Sequence, residues 1–127
     1  MNCFGVMGAG LAKEFAFRYP GMFKDYAKAC KDTKLYVGTI HKYVNGSSCI
    51  VNFPTKGHWS RPSSYQNIEI GMRVMVKYLL KQPLRTVAIP RLGCGLGGLQ
   101  WGTVKQIVLR EIEPLPDDFT VYLFGEG

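Results

Sequence analysis

A chain of 127 residues, 46% of them hydrophobic, is long enough to bury one core and too short for two, so a single domain spanning residues 1 to 127 is expected. It has no stretch of about 18 apolar residues and no charged, apolar and small-residue leader pattern, which argues against a membrane span and for a soluble, cytoplasmic protein. A formal net charge of +7 attracts polyanions and favours nucleic acid or a phosphorylated small molecule, although lysines on solvated helix faces carry the same sign.

Elements follow in order along the chain. After Gly10, "LAKEFAFRYP" sets Leu11, Phe15 and Tyr19 at helical spacing, and Pro20 ends or kinks that helix. A second helix runs through "MFKDYAKAC", where Lys24, Lys28 and Lys31 read as a solvated face. "KLYVGTIHKYV", the turn signal "NGSS" and "CIVNF" predict a hairpin over residues 35 to 53. "PTKGHWSRPSSYQN" is too rich in Pro, Gly and Ser to be an element, and a loop of that length is of the kind that carries function.

Ile68, Met72, Met75, Val76 and Leu79 then mark one face of a helix ending near Lys81. "LRTVAI", between Pro83 and Pro90, reads as a buried strand; "WGTVKQIVLREIE" is helical through Val104, Ile107, Val108 and Ile112; "FTVYLF" is a last strand. Strands alternating with helices predict an α/β fold with helices on both faces of the sheet. No internal repeat or low-complexity tract interrupts it.

The four cysteines, Cys3, Cys30, Cys49 and Cys94, form no CxxC pair and have no histidine at zinc-finger spacing, so reduced, packed thiols are expected, with no metal and no cofactor. Two glycine loops stand out instead. "NCFGVMGAG" precedes the first helix and "PRLGCGLGGLQW" the last, each offering backbone N–H groups near a helix N-terminus, where a phosphate finds donors and a favourable dipole. Two such loops at one sheet edge predict a two-sided clamp for a diphosphate. Neither is a complete phosphate fingerprint: residues 93 to 98 meet GxGxxG in form only, and GxxxxGK[ST] is absent.

Taken together, "NCFGVMGAGLAKEFAFRYP", "VNFPTKGHW" and "IPRLGCGLGGLQW" resemble the macrodomain family, and within it the branch holding DarG-type antitoxins and the terminal ADP-ribose protein glycohydrolase. The resemblance covers nearly the whole chain. It implies a mixed sheet in an α/β/α sandwich, with ADP-ribose as ligand. Gly5, Val6, Met7, Gly8 and Gly10 on one side, and Gly93, Cys94, Gly95, Leu96 and Gly97 on the other, would embrace the diphosphate and distal ribose. Asn2 would contact that ribose, or cap its own turn. Thr55 and Arg91 are expected beside the ligand.

The resemblance makes Lys56 the catalytic group, attacking the anomeric carbon of the distal ribose or stabilising its opening. An amine is nucleophilic only when unprotonated, a form that a desolvated or cation-flanked site favours, and Arg91 and His58 are candidates to assist. Where some members of the branch carry an acid directly after the loop leucine, this chain has Gly97, as DarG-type proteins do. The proton donor is therefore open among His58, Glu69 and the substrate. Cys94 is a weaker nucleophile candidate, with no histidine partner at short range.

Trp59 and Tyr65 are candidates to stack on a base of single-stranded nucleic acid, with Lys56, His58 and Arg61 along its backbone; Trp59 could equally close over the loop. Set against the family pattern, the sequence starts at the first glycine loop, and the resemblance leads one to expect a domain without the usual N-terminal strands. The adenine-reading acid of the family thus has no counterpart, and a sheet missing an inner strand is expected to have unpaired edges. Three functions remain in play. They are removal of ADP-ribose from a nucleic-acid base, single-stranded DNA being the favoured carrier, with a cognate ADP-ribosyltransferase toxin as partner; hydrolysis of a small ADP-ribose derivative such as the 1″-phosphate or an O-acyl ester; and non-catalytic reading of ADP-ribose.

Overall fold

A computed structural model describes residues 10–32, 35–46, 48–56, 63–95 and 97–123. Helix α1 (Gly10–Arg18) and helix α2 (Pro20–Lys31) are parted by Tyr19 alone. Pro20 has no N–H to continue α1 and a fixed φ suited to a first helical position, so it ends one helix and begins the next. Met22, Tyr26 and Cys30 recur every four residues along α2 and, with Leu35, form a small buried cluster. Phe15 and Tyr19 pack on it from the α1 side, while Lys24, Lys28 and Lys31 are exposed.

Strands β1 (His41–Asn45) and β2 (Ser48–Asn52) pair antiparallel, His41 opposite Asn52 and Asn45 opposite Ser48. The expected hairpin over 35 to 53 is therefore shorter. At its start the Thr39 hydroxyl accepts from the Tyr36 N–H (3.0 Å) and donates to the Tyr36 carbonyl (2.7 Å), a local ring of bonds that takes these groups away from a strand ladder. Successive β2 residues face opposite ways: Ile50 packs on the small cluster and Val51 on a larger one.

Helix α3 (Tyr65–Leu80) begins at Ser64, whose hydroxyl accepts from the Asn67 N–H at 3.1 Å. Ile68, Met72, Met75, Val76 and Leu79 are all buried, as their spacing predicts. All but Val76 are counted in the larger cluster, which also takes Val87 and Ile89 of β3 (Thr86–Ile89) and Val104, Ile107 and Val108 of α4 (Trp101–Glu111). Strand β4 (Thr120–Leu123) runs parallel to β3, Thr86 opposite Thr120.

One further expectation is corrected. β3 is not buried on both faces: Val87 and Ile89 point into the core while Thr86 and Ala88 are exposed, because its core contacts lie on one face. Among the described residues the strands form two two-stranded ribbons, β1–β2 antiparallel and β3–β4 parallel, which with the helices make up the expected α/β fold. Among the described residues β2 and β3 thus each pair on one side. On the outer side of α3 and α4, Arg73 and Arg110 both pair with Glu69 and with Glu111, a four-residue ion network. No helix among the described residues is long and apolar enough to cross a membrane.

Candidate active site

β2 ends at Asn52, and the chain continues through Phe53, Pro54, Thr55 and Lys56 without regular structure yet fully inside the molecule. Burying irregular backbone requires partners for its polar groups. Asn67 of α3 provides one, donating from Nδ2 to the Thr55 carbonyl at 3.4 Å. Phe53 lays its ring against Gly71, one helical turn further on, where any Cβ would collide with it. Lys56, at the end of this strap, is only 9% exposed.

The second glycine loop stands beside the strap through Ser63. Its hydroxyl donates to Thr55 Oγ1 at 3.1 Å and its backbone N–H to the Gly97 carbonyl at 3.0 Å. The loop folds on itself by tight turns, Cys94 N–H to the Arg91 carbonyl, Gly98 N–H to that of Gly95, and Leu99 N–H to that of Gly93. Gly93 sits at φ +73°, a left-handed conformation that glycine adopts without cost. Gly97 is required for space: a Cβ there would run into the Gly93 carbonyl and the Ser63 hydroxyl. Neither α1 nor α4, the helices after the two glycine loops, has an acidic residue in its first turn to compete with an anion.

Thr55, Lys56, Gly93, Cys94, Gly95 and Gly97 thus lie on two segments joined by Ser63, a residue the sequence did not single out. Arg91 is exposed at the rim, its guanidinium 5.8 Å from the centre of the Trp101 ring. Gly10 opens α1. Asn2, Gly5, Val6, Met7, Gly8, His58, Trp59, Arg61 and Leu96 lie outside the described residues.

Three candidate roles change. Tyr65, expected to stack on a base, packs against the larger core and accepts the Gln100 N–H at 3.1 Å, which ties the start of α3 to the start of α4. Glu69, a candidate proton donor, gives both carboxylate oxygens to Arg73 and Arg110; two residues along a helix from Asn67, it points away from the strap. Burial pushes the Cys94 thiol up, and the opposing pull of Arg91 does not cancel that rise, so the cysteine is not an activated thiolate. Among the described residues no group of three or more His, Cys, Asp or Glu side chains is placed to hold a metal ion.

A strap ending in a buried lysine, set beside a glycine loop at a helix start, belongs to a class of α/β domains shaped for a phosphate-bearing ligand. Residues 1–108 match the Macro domain family model, and the chain belongs to that family. It is 39% identical over 127 residues to a Mycobacterium tuberculosis protein named "DNA ADP-ribosyl glycohydrolase", covering 96% of this chain and 36% of that one. The solved macrodomain of M. tuberculosis DarG superposes with a TM-score of 0.95 at 37% identity, covering all of this chain and 86% of that one.

A Thermosipho africanus protein named "DNA ADP-ribosyl transferase-DNA ADP-ribosyl glycohydrolase fusion protein" is 32% identical over 142 residues, covering 97% of this chain and 37% of that one. The structure of T. africanus DarTG in complex with ADP-ribose has a TM-score of 0.87 at 34% identity, over 97% of this chain and 36% of that one. The chain therefore spans little more than a third of these curated relatives.

Proposed function

We propose that this chain is an ADP-ribosyl glycohydrolase domain that removes ADP-ribose from a base of DNA, single-stranded DNA being the favoured form, with Lys56 as the catalytic amine. One observation carries the reading: Lys56 is buried at the end of a strap that Ser63 bridges to Gly97 of the glycine loop. A lysine kept only for charge sits on a solvated face. A lysine on fixed, buried backbone is held in one place, as a reacting group must be.

In this reading the diphosphate lies along the backbone of Gly93, Cys94, Gly95, Leu96 and Gly97, with Gly5, Val6, Met7, Gly8 and Gly10 opposite and Asn2 on the distal ribose. C1″ then faces Lys56. The unprotonated Nζ adds to C1″ as the glycosidic bond breaks; the electron pair leaves with the base, which takes up a proton. Water then adds at C1″ and frees the amine, so that its hydroxyl ends on the sugar and its hydrogen replaces the sugar on the base. No cofactor enters the scheme.

The names of the relatives and the ADP-ribose in the T. africanus complex support this substrate class. The fused transferase of the T. africanus relative supports a cognate ADP-ribosyltransferase as partner. The net charge of +7 supports DNA as the carrier, with His58, Trp59 and Arg61 beside Lys56 along it.

The test is parallel incubation with ADP-ribosylated single-stranded DNA, ADP-ribosylated protein and ADP-ribose 1″-phosphate, with Lys56→Ala as control. The proposal expects release from DNA by the unaltered protein alone. Release only from the 1″-phosphate would make it a small-molecule hydrolase, and binding without release from any substrate would make it a reader.

A further inference from the structure

Away from the glycine loops, a chain of three polar side chains joins α2 to the root of the strap. Asn52, the last residue of β2, is 5% exposed, and its Nδ2 lies 2.8 Å from His41 Nδ1 and 3.2 Å from Met22 Sδ. On its far side His41 Nε2 is 2.8 Å from Asp25 Oδ2. The His41 side chain is 9% exposed, that of Asp25 58%.

A thioether only accepts, so this contact favours the Asn52 orientation with its amino group toward Met22. In that orientation the same group faces His41 Nδ1, which then accepts and carries no proton. The ring is then the neutral tautomer with hydrogen on Nε2, donated to Asp25. Among the described residues, Asp25 and the Tyr26 ring from α2, the latter edge-on at 6.3 Å, and Asn52 from β2 face the His41 ring.

We infer that His41 is a positioning residue for Lys56, acting through Asn52 and only in its neutral form. A second proton would set N–H against N–H. Asn52 would then turn its carbonyl to the ring and give up Met22, moving the residue from which Phe53, Pro54, Thr55 and Lys56 continue. The same three side chains tie the strap to α2. The inference rests on the proposed role of Lys56, and its test separates the two.

Nitrogen-15 NMR of the whole chain reads the His41 tautomer and the backbone amides of Thr55 and Lys56 across about pH 5 to 8. Single-turnover release of ADP-ribose from modified DNA is measured over the same range for the unaltered protein, Asn52→Asp and His41→Gln. The expectation is a neutral ring protonated on Nε2, amides of Thr55 and Lys56 that follow its titration, and a rate that falls roughly tenfold or more along that curve while KM stays within about twofold.

A carboxylate in place of the Asn52 amide favours the charged ring, so Asn52→Asp should move the curve to higher pH. His41→Gln cannot gain the proton and should flatten that limb. Amides that ignore the His41 titration would overturn the inference, as would one rate profile shared by all three proteins. Amides that follow His41 in a protein showing no turnover would uphold the positioning link and remove the hydrolase reading instead. Should either variant fail to fold, the amide titration of the unaltered protein still decides.

Discussion

Thr55 and Gly97 are held together by one intermediary, Ser63, which spends its hydroxyl on the first and its backbone N–H on the second. The strap that ends in Lys56 and the loop expected to hold the diphosphate therefore share a brace. Ser63→Ala keeps the backbone bond and loses the hydroxyl one. It should destabilise the domain by about 1 to 2 kcal/mol, read by urea unfolding, because Thr55 stays buried without that donor. It should also slow ADP-ribose release several-fold more than it weakens ADP-ribose binding, since the strap would loosen while the loop keeps its shape.

Gly97 and Gly95 make a matched pair. A methyl group at Gly97 meets the Gly93 carbonyl and Ser63, whereas at Gly95 it meets nothing within 4 Å. Gly97→Ala should therefore cost about 1 to 3 kcal/mol and weaken ADP-ribose binding by calorimetry. Gly95→Ala should melt with the unaltered protein. Equal melting of both variants would contradict the close approach.

Tyr78 offers a spectroscopic check of the hairpin's seat on α3. Its hydroxyl lies 3.5 Å from Cys49 Sγ, and the hydrogen bond to Cys49, then burial, push its pKa up to about 12 from 10.0. A folded-state pKa raised in this way stabilises the protein fully below the unfolded value and loses that contribution as pH climbs from about 10 to 12. Absorbance titration near 295 nm should find Tyr78 titrating late, and Cys49→Ala should bring it back toward 10.

Cys94 should behave as an ordinary or sluggish thiol. Burial raises its pKa more than Arg91 lowers it, so alkylation by iodoacetamide at neutral pH should be slower than for a free cysteine and should quicken as pH rises. Rapid modification at neutral pH would restore Cys94 as a nucleophile candidate.

Much of this was legible in the chain itself. The stripe Ile68, Met72, Met75, Val76 and Leu79 fixes both the helix and its buried face, since apolar periodicity is a local property. Pro20 marks a helix boundary for equally local reasons. The hairpin came out long because alternation from Leu35 onward reads as strand, while the Thr39 side-chain bonds that compete with it carry no pattern. Ser64 announces itself as a cap, a serine directly before a helical run. Ser63, its neighbour, has no such signature. Its two bonds reach residues eight and thirty-four positions away, and only folding brings those together. The Asp25–His41–Asn52 chain was hidden for the same reason: it needs the hairpin register that sets His41 opposite Asn52 and the helix that delivers Asp25.

The most direct measurement is single-turnover release of ADP-ribose from ADP-ribosylated single-stranded DNA by Lys56→Ala, with ADP-ribose affinity measured on the same preparation. The account predicts that release falls at least about a thousandfold, more than about 4 kcal/mol of transition-state stabilisation, while affinity changes less than about threefold. Release at an undiminished rate by a variant that still binds ADP-ribose would contradict it.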